Sequence, residues 1–319
     1  MDNSYSAKIS PAEKLIVKAK RRFIFGRDIP LYAILSPALV LVLVFCYFPM
    51  YGVLIAFKDF SPFKGILGSP WVGLQYFKEF LNDSYFWNVM LNTLRINVLS
   101  LLFGFPAPII LALLLNEVVF IKFKKIVQTI SYLPYFISWV VVASIANTIL
   151  SPESGVVNIL LVKVLHMEPI YFLTESKYFV AIIVLAGIWK GIGMSSIYYL
   201  AALSSIDPVL YDAAKIDGAG RLMQTLHITL PGLKNMITVL LVLNLGTMVS
   251  IGFENIFLFY NPLVYDVGDV ISTYTYRLGL VNMQYSVTTA IGLAQSVINM
   301  VLILGSNFIA KKMGGWALW

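Results

Sequence analysis

The residues best suited to chemistry lie in one polar stretch, DPVLYDAAKIDGAGRLMQTLHITLP, at positions 207–231 of a largely apolar chain. Its carboxylates, Asp212 and Asp217, are of the type that acid–base catalysts use in pairs. Asp207 is typical of a helix N-cap and Pro208 of a first helical turn. Gly218 is typical of the left-handed residue that follows a helix. The sequence therefore predicts a short helix that carries both carboxylates.

A second short helix is predicted over residues 220–229. It should stop before Pro231, because proline lacks an N–H group and its ring clashes with the preceding turn. A connection between two apolar segments has no need of a defined helix–turn–helix unless another molecule docks on it. We interpret the stretch as a docking element.

Other catalytic patterns are absent from the sequence. There is no Gly-x-x-x-x-Gly-Lys-Ser/Thr, so the chain is not expected to bind ATP, and no His-Glu-x-x-His or Gly-x-Ser-x-Gly occurs. One Cys and two His exclude a disulfide framework and do not support a zinc cluster. We predict no catalytic, cofactor-binding or metal-binding residue, and a chain that is not an enzyme.

Composition predicts an all-α, polytopic membrane protein. Hydrophobic residues make up 59% of the chain and charged residues 12%, against roughly a quarter charged in soluble domains. Six segments have the ~20 mostly apolar residues that a transmembrane helix needs. They are residues 31–57, 89–116, 127–150, 178–204, 233–260 and 288–310. A basic tail, residues 1–30, precedes a single membrane domain, residues 31–319.

The distribution of Lys and Arg predicts the orientation of the chain. Seven basic residues lie in the first thirty, and further ones follow the second span, the fourth span and the last span. These regions alternate as expected for an even number of spans, with both termini in the cytoplasm. The net charge of +7 does not indicate nucleic-acid binding, because the basic residues lie at the ends of apolar segments.

The stretch between the fourth and fifth spans, here called the helical loop (residues 205–232), resembles the EAA loop of bacterial ABC-importer permeases. The family pattern is Glu-Ala-Ala, then Asp-Gly-Ala, then an apolar run ending in Leu-Pro. The matching residues, taken together with Tyr211, are Asp212, Ala213, Ala214, Asp217, Gly218, Ala219, Ile228, Leu230 and Pro231. The chain departs from the pattern at Asp212, whose carboxylate is one methylene shorter than the family's glutamate.

The resemblance implies a type I ABC importer permease fold in which the helical loop is cytoplasmic and couples a separate ATPase to transport. It implies a second homologous permease subunit, two copies of the ATPase, which binds ATP-Mg, and an extracellular solute-binding protein, periplasmic or lipid-anchored. The location implied is the bacterial cytoplasmic membrane, among lipid, with no nucleic acid. Asp212 and Asp217 are then better explained as helix-end and solvated charges than as a catalytic pair.

Residues 252–280 are similar to a subgroup that imports oligosaccharides released from complex polysaccharides. Polar groups inside apolar spans normally face a cavity or a partner. Amides and carboxylates bind sugar hydroxyls, and aromatic rings stack on sugar faces. The predicted solute path comprises Trp189, Tyr198, Glu254, Asn255 and Tyr260. Structural alternatives remain for each: Glu254 and Asn255 at an interrupted helix end, and the aromatic residues in packing or in an interfacial belt.

Lys190 lies in the fourth apolar segment, between Gly187 and Gly191. The spacing of these two glycines favours close packing of helices over a binding site. Other solutes of the same fold remain open, namely an amino acid, a polyamine or phosphate. A membrane enzyme or a secondary carrier would leave the helical loop unexplained.

Two connections assigned to the outside are long, residues 59–88 and residues 151–177. The second contains an apolar stretch at 156–165 that is too short to span the membrane. It is expected either to lie on the membrane surface or to contact the extracellular binding protein.

The orientation predicts which cysteines an impermeant thiol reagent reaches in intact cells. A cysteine near Ser69 or Ser154 should be labelled from outside, and one near Lys124 or Arg221 should be labelled only after the membrane is opened. Labelling at Arg221 in intact cells would reverse the topology.

Overall fold

The computed structural model describes residues 29–312. Most of the predicted basic tail and the last seven residues lie outside this range. The chain divides at Leu54 and Ile55 into two compact units. Within the described range the β structure is a single antiparallel bridge between Lys58 and Trp71.

The first helix, α1, is Ile29–Phe57, with a mean hydropathy of 2.5. It changes from α-helical to π-helical geometry at Leu43–Tyr47 and to a 3₁₀ helix at Phe48–Phe57. Pro49, which cannot donate a backbone hydrogen bond, lies at the start of the 3₁₀ segment.

The second unit contains the remaining helices. The principal ones are α2 Gln75–Asn82, α3 Ser84–Glu117, α4 Ile121–Phe136, α5 Trp139–Leu150, α6 Val156–Leu165, α7 Ser176–Leu203, α8 Pro208–Ile216, α9 Arg221–Gly246, α10 Phe253–Phe257, α11 Ile271–Tyr276 and α12 Tyr285–Lys312. Short helical turns at Gly65–Gly68, Pro262–Val264, Tyr265–Gly268 and Arg277–Val281 connect them.

The helices long and apolar enough to cross a membrane agree with the predicted number of spans. Among the described residues α1, α3, α7, α9 and α12 qualify singly, and α4 with α5 forms a sixth span if the bent pair is counted as one. Three hydrophobic clusters join these helices within the second unit. The third cluster holds Ala112 of α3, Tyr199 of α7 and Leu233 of α9 together.

The span predicted over residues 127–150 is a bent pair of helices that begins at Ile121. Helices α4 and α5 meet at a bend of 105°. The Lys190 ammonium group on α7 donates to the carbonyl oxygens of Pro134, at 3.4 Å, Tyr135, at 2.8 Å, and Ile137. The Pro134 carbonyl also accepts from the Ile137 N–H at 3.2 Å. Carbonyl groups at a helix C-terminus need partners beyond the helix, and a cation there interacts favourably with the helix dipole. Lys190 therefore stabilises the bend.

The prediction of a span over residues 233–260 was wrong at both ends. Helix α9 begins at Arg221 and ends at Gly246. The backbone at residues 247–252, here called the unwound segment, forms turns and irregular structure. Glu254 and Asn255 consequently belong to the separate short helix α10.

The predicted stop before Pro231 was also wrong. The chain is helical from Arg221 through Pro231, with a π-helical turn at Thr225–Thr229 just before the proline. A π turn shifts the backbone hydrogen bonds by one residue, which accommodates a proline that cannot donate its own. The helical loop thus passes into the membrane span without a break.

Close packing occurs at a different glycine from those predicted. A β-carbon at Gly193 would overlap the carbonyl group of Ser131 on α4, whereas β-carbons at Gly187 and Gly191 would meet open space. The spacing of Gly187 and Gly191 therefore does not mark a helix contact. Gly193 permits the close approach of α7 to α4.

We expect Gly193→Ala to lower the thermal unfolding temperature of the purified protein. The added methyl group has nowhere to go, and such overpacking typically costs about 1–3 kcal/mol. Gly191→Ala is the matched control on the same helix and should leave the unfolding temperature unchanged or raise it, because its β-carbon is unobstructed and alanine favours helix. Equal unfolding temperatures for the two variants would contradict the packing argument.

Candidate functional site

The helical loop has well-formed helix ends. The Asp207 carboxylate accepts a hydrogen bond from the Val209 N–H at 2.9 Å, and Pro208 occupies the first turn of α8. The predicted N-cap and first-turn proline are therefore confirmed. A capping side chain of this kind typically contributes about 1 kcal/mol to helix stability.

The C-terminal end of α8 is fixed by two backbone hydrogen bonds around a left-handed glycine. Gly218 has φ +79°. Its N–H donates to the Lys215 carbonyl at 3.1 Å, and the Ala219 N–H donates to the Ala214 carbonyl at 2.8 Å. This pair of bonds is the Schellman arrangement, which needs a residue with positive φ at the position of Gly218. The predicted left-handed turn is confirmed.

The outer face of α8 is uncovered. No residue of α8 is buried, and Ile216 is 87% exposed. Asp212 pairs with Lys215 at 3.0 Å, an exposed contact that adds little to stability. Tyr211 holds the helix to α9, because its hydroxyl lies 3.0 Å from the Thr229 hydroxyl. The loop is thus fixed on one side and presents a partly apolar surface on the other.

The remaining predicted loop residues surround these contacts. Ala213, Asp217, Gly218 and Pro231 are exposed, and Ala214, Ala219 and Leu230 are partly buried. The geometry brings all of them onto α8, its turn and the π-to-α junction of α9. Their predicted contact with an ATPase stays a prediction.

Two adjoining clefts lie between α3, α7, α9 and α10. Their volumes are about 260 and 340 Å³. They share five lining residues, Asn97, Ser100, Gly104, Pro108 and Ser195. The first cleft adds Asn244 and Thr247, and the second adds Trp139 and Asn255. Neither lining includes a charged side chain, so the polar groups of both clefts are hydroxyls and amides, which lie among apolar side chains.

The unwound segment lines both clefts and is held by amide side chains from α3 and α12. Asn97 donates to the carbonyl oxygens of Met248, at 3.0 Å, and Ser250, at 3.4 Å. Gln295 donates to the Val249 carbonyl at 2.6 Å. In a membrane, irregular backbone is tolerated where it lines a cavity or is buried in protein. The first condition holds here, and Val249 within the segment is also buried.

Asn299 completes this support from the helical position four residues after Gln295. Its carbonyl oxygen accepts from the Val249 N–H at 3.3 Å, and its amide donates to the Ser250 hydroxyl at 2.8 Å. Sequence analysis missed Gln295 and Asn299. The sequence pattern that could have found them is a pair of amide side chains four residues apart on an apolar helix. This spacing places both on one face, where they can contact the same neighbouring segment.

The five predicted path residues do not all lie together. Tyr198 lines the first cleft and Asn255 the second. Trp189 is 44% exposed on α7, and Glu254 is exposed on α10. Tyr260 stacks on Tyr265 with ring centres 5.0 Å apart. These last three lie outside the two clefts.

Residues 87–315 match the family model described as a binding-protein-dependent transport system inner membrane component. The chain belongs to this family. It is 46% identical to protein LplB of Bacillus subtilis, with 90% of each chain covered. It is 44% identical to the polygalacturonan/rhamnogalacturonan transport system permease protein YteP of the same organism, over 89% of this chain and 88% of YteP.

Two solved structures are similar to this permease. One is a crystal structure of a bacterial ABC transporter involved in the import of the acidic polysaccharide alginate. It has a TM-score of 0.84 and 43% identity, over 92% of this chain and 99% of that chain. The other is the bacterial alginate ABC transporter in complex with alginate pentasaccharide-bound periplasmic protein, with a TM-score of 0.83 and 43% identity, over 90% and 96%. The predicted family and the all-α permease fold are confirmed, and the chain is a multi-pass membrane component of a transport system.

Removing either supporting amide should destabilise the permease. Asn97→Leu or Gln295→Leu leaves carbonyl oxygens of the unwound segment without donors, at a typical cost of about 1–3 kcal/mol. Asn147→Leu is the control, because the Asn147 amide donates to Ala143 on its own helix. We expect a lower unfolding temperature for the first two variants and a near-normal value for the third. A normal unfolding temperature for Gln295→Leu would show that the Gln295 amide does not support the unwound segment.

Proposed function

We propose that this permease carries an oligosaccharide, released from an acidic polysaccharide, through an ATP-driven importer. The observation that carries the proposal is the pair of uncharged, polar clefts at the unwound segment. Hydroxyl and amide groups both donate and accept hydrogen bonds, as sugar hydroxyls do. The relatives named for polygalacturonan, rhamnogalacturonan and alginate support the class of solute.

The clefts favour sugar over the alternative solutes. A polyamine would call for several acidic side chains, and an amino acid or phosphate, which present few or no hydroxyl groups, for basic ones, whereas the linings of both clefts are neutral. An oligosaccharide, even an acidic one, presents many hydroxyl groups that neutral donors and acceptors bind. Trp139 offers an aromatic face to the second cleft, while Asn97 and Asn255 offer amides. Such weak, multiple contacts suit a solute that must enter and leave.

The partners follow from the uncovered α8 surface and from the family. The proposed assembly contains a second homologous permease, two copies of a cytoplasmic ATPase that hold ATP-Mg, and an extracellular solute-binding protein. The complex of the alginate transporter with its periplasmic protein supports the last partner. The chain itself holds no cofactor and catalyses no covalent step.

The proposed orientation places α8 and both termini in the cytoplasm. Lys122, Lys124 and Lys125 of α4 and Lys311 and Lys312 of α12 then lie on the same side as α8, as the Lys/Arg bias requires. ATP binding and the helical loop meet on that side. Helix α9 connects α8 with the unwound segment and the clefts.

The proposal is tested by measuring uptake into proteoliposomes that contain the full assembly. ATP is enclosed in the lumen, and the assembly is oriented so that α8 faces the lumen. We expect Gly218→Pro to abolish ATP-driven oligosaccharide uptake, because proline fixes φ near −65° and cannot adopt the observed +79°. Gly220→Ala is the control, since its φ is −66° and a β-carbon there meets open space. It should retain uptake.

Copurification with the ATPase shows whether the Gly218→Pro variant still assembles. A cysteine at Ala214 should also crosslink to a cysteine in the ATPase cleft. Full uptake by an assembled Gly218→Pro variant would exclude α8 from coupling. A wild-type assembly that shows no saccharide-stimulated ATP hydrolysis would exclude the solute class.

A further inference from the structure

A buried ion pair lies at the end of the second unit where α3 begins. The Asp269 carboxylate is fully buried and accepts from Arg277 and from the Tyr85 hydroxyl, each at 2.5 Å. It also accepts from the Thr273 hydroxyl at 2.7 Å. The carboxylate is therefore saturated with donors, and its charge fixes the position of the Arg277 guanidinium.

Aromatic rings surround that guanidinium. Its central carbon lies 5.1 Å from the centre of the Tyr265 ring and 5.9 Å from that of Tyr274. Tyr265 is the first of a continuous set of rings whose neighbouring centres lie 4.5–5.8 Å apart. This set, here called the aromatic cluster, comprises Phe253, Phe257, Tyr260, Tyr265 and Tyr276.

The aromatic cluster is partly exposed at the surface of the chain. Phe257 is 37% exposed and the Arg277 side chain 27%. Glu254 is exposed three positions before Phe257 on α10, so the same face carries a carboxylate. An exposed carboxylate is unfavourable against lipid, which indicates an aqueous or partner-lined face. Helix α10 also carries Asn255 of the second cleft, so one short helix connects the cluster with the path.

Arg277 differs from two other partly buried cations, Lys190 and Lys58, in the number and shape of its donors. Lys190 is held by three carbonyl oxygens at the α4–α5 bend, and Lys58 by the carbonyls of Ile66 and Leu67. A guanidinium has five N–H groups in a planar fork that matches a carboxylate. Asp269 and Tyr85 engage only part of that fork.

We propose that Arg277 and the aromatic cluster form a saccharide subsite that binds one uronate residue of the transported chain. The rings stack on the sugar face, and the free edge of the guanidinium pairs with the sugar carboxylate. This inference rests on the proposed function and adds to it the residue that distinguishes an acidic sugar from a neutral one. The neutral clefts then receive the hydroxyl-rich remainder of the oligosaccharide.

The test uses the reconstituted assembly and two probes, tetragalacturonate and its carboxyl-reduced counterpart. Arg277→Lys keeps the charge that pairs with Asp269 but loses the planar fork. We expect the KM for uptake of tetragalacturonate to rise about tenfold, and that of the reduced probe less than twofold. The same binding protein delivers both probes to both permeases, so its own preference cancels when variant and wild type are compared.

A second variant keeps the inference open to refutation if Arg277→Lys fails to assemble. Phe257→Leu removes an exposed ring without touching the ion pair and should raise the KM of both probes several-fold. Phe308→Leu is its control, an exposed phenylalanine on α12 that is 68% exposed. Equal effects of Arg277→Lys on both probes, or no effect of Phe257→Leu, would overturn the subsite. If the wild-type assembly takes up the reduced probe but not tetragalacturonate, the subsite is overturned and the importer function still stands. No saccharide uptake at all would overturn the function itself.

Discussion

Every backbone N–H and C=O group inside a bilayer needs a partner within the protein, and the breaks in the helices of this permease are arranged around that constraint. Where α4 bends into α5, the Lys190 ammonium group serves three carbonyl oxygens. Where α9 ends inside the membrane domain, amides of Asn97, Gln295 and Asn299 serve the unwound segment. Polar residues that hydropathy marks as anomalies are, at these places, the condition for the helix to open.

The choice of amides at one break and a cation at the other suits the surroundings of each. The unwound segment lines the clefts, and neither lining includes a charged side chain. Neutral amides satisfy the backbone and leave hydroxyl-sized contacts available. At the α4–α5 bend the cation is enclosed by carbonyl oxygens and by the rings of Tyr135 and Trp139, at 5.7 and 5.6 Å. The charge of Lys190 therefore stabilises the bend.

Local sequence signals predicted local structure well. Asp207, Pro208 and Gly218 act within five residues of themselves, and the helix start and the left-handed turn follow from their own chemistry. The number of apolar spans also followed from composition, because hydrophobic length is a local quantity. The predicted contacts of the helical loop with other chains and the predicted solute path remain predictions.

The breaks were not predictable in the same way. Residues 247–252 read TMVSIG, which an averaged hydropathy treats as part of a span. The groups that stabilise the open form come from Asn97 and from Gln295, more than forty residues away in either direction. The helix end predicted before Pro231 was wrong for a related reason. A π turn, which no single residue specifies, lets the helix continue through the proline. Such features depend on contacts between residues far apart in the chain, and a single sequence does not show which residues are in contact.

Continuity across Pro231 gives α9 a mechanical consequence. Its 26 residues form one rod of about 39 Å at 1.5 Å per residue. One end is tied to α8 through Tyr211 and Thr229, and the other runs into the unwound segment. Treated as a stiff lever, a tilt of about 5° at the loop moves the distant end by roughly 3 Å. That displacement is comparable to one hydrogen-bond length, the scale on which the amide contacts to the unwound segment form or break.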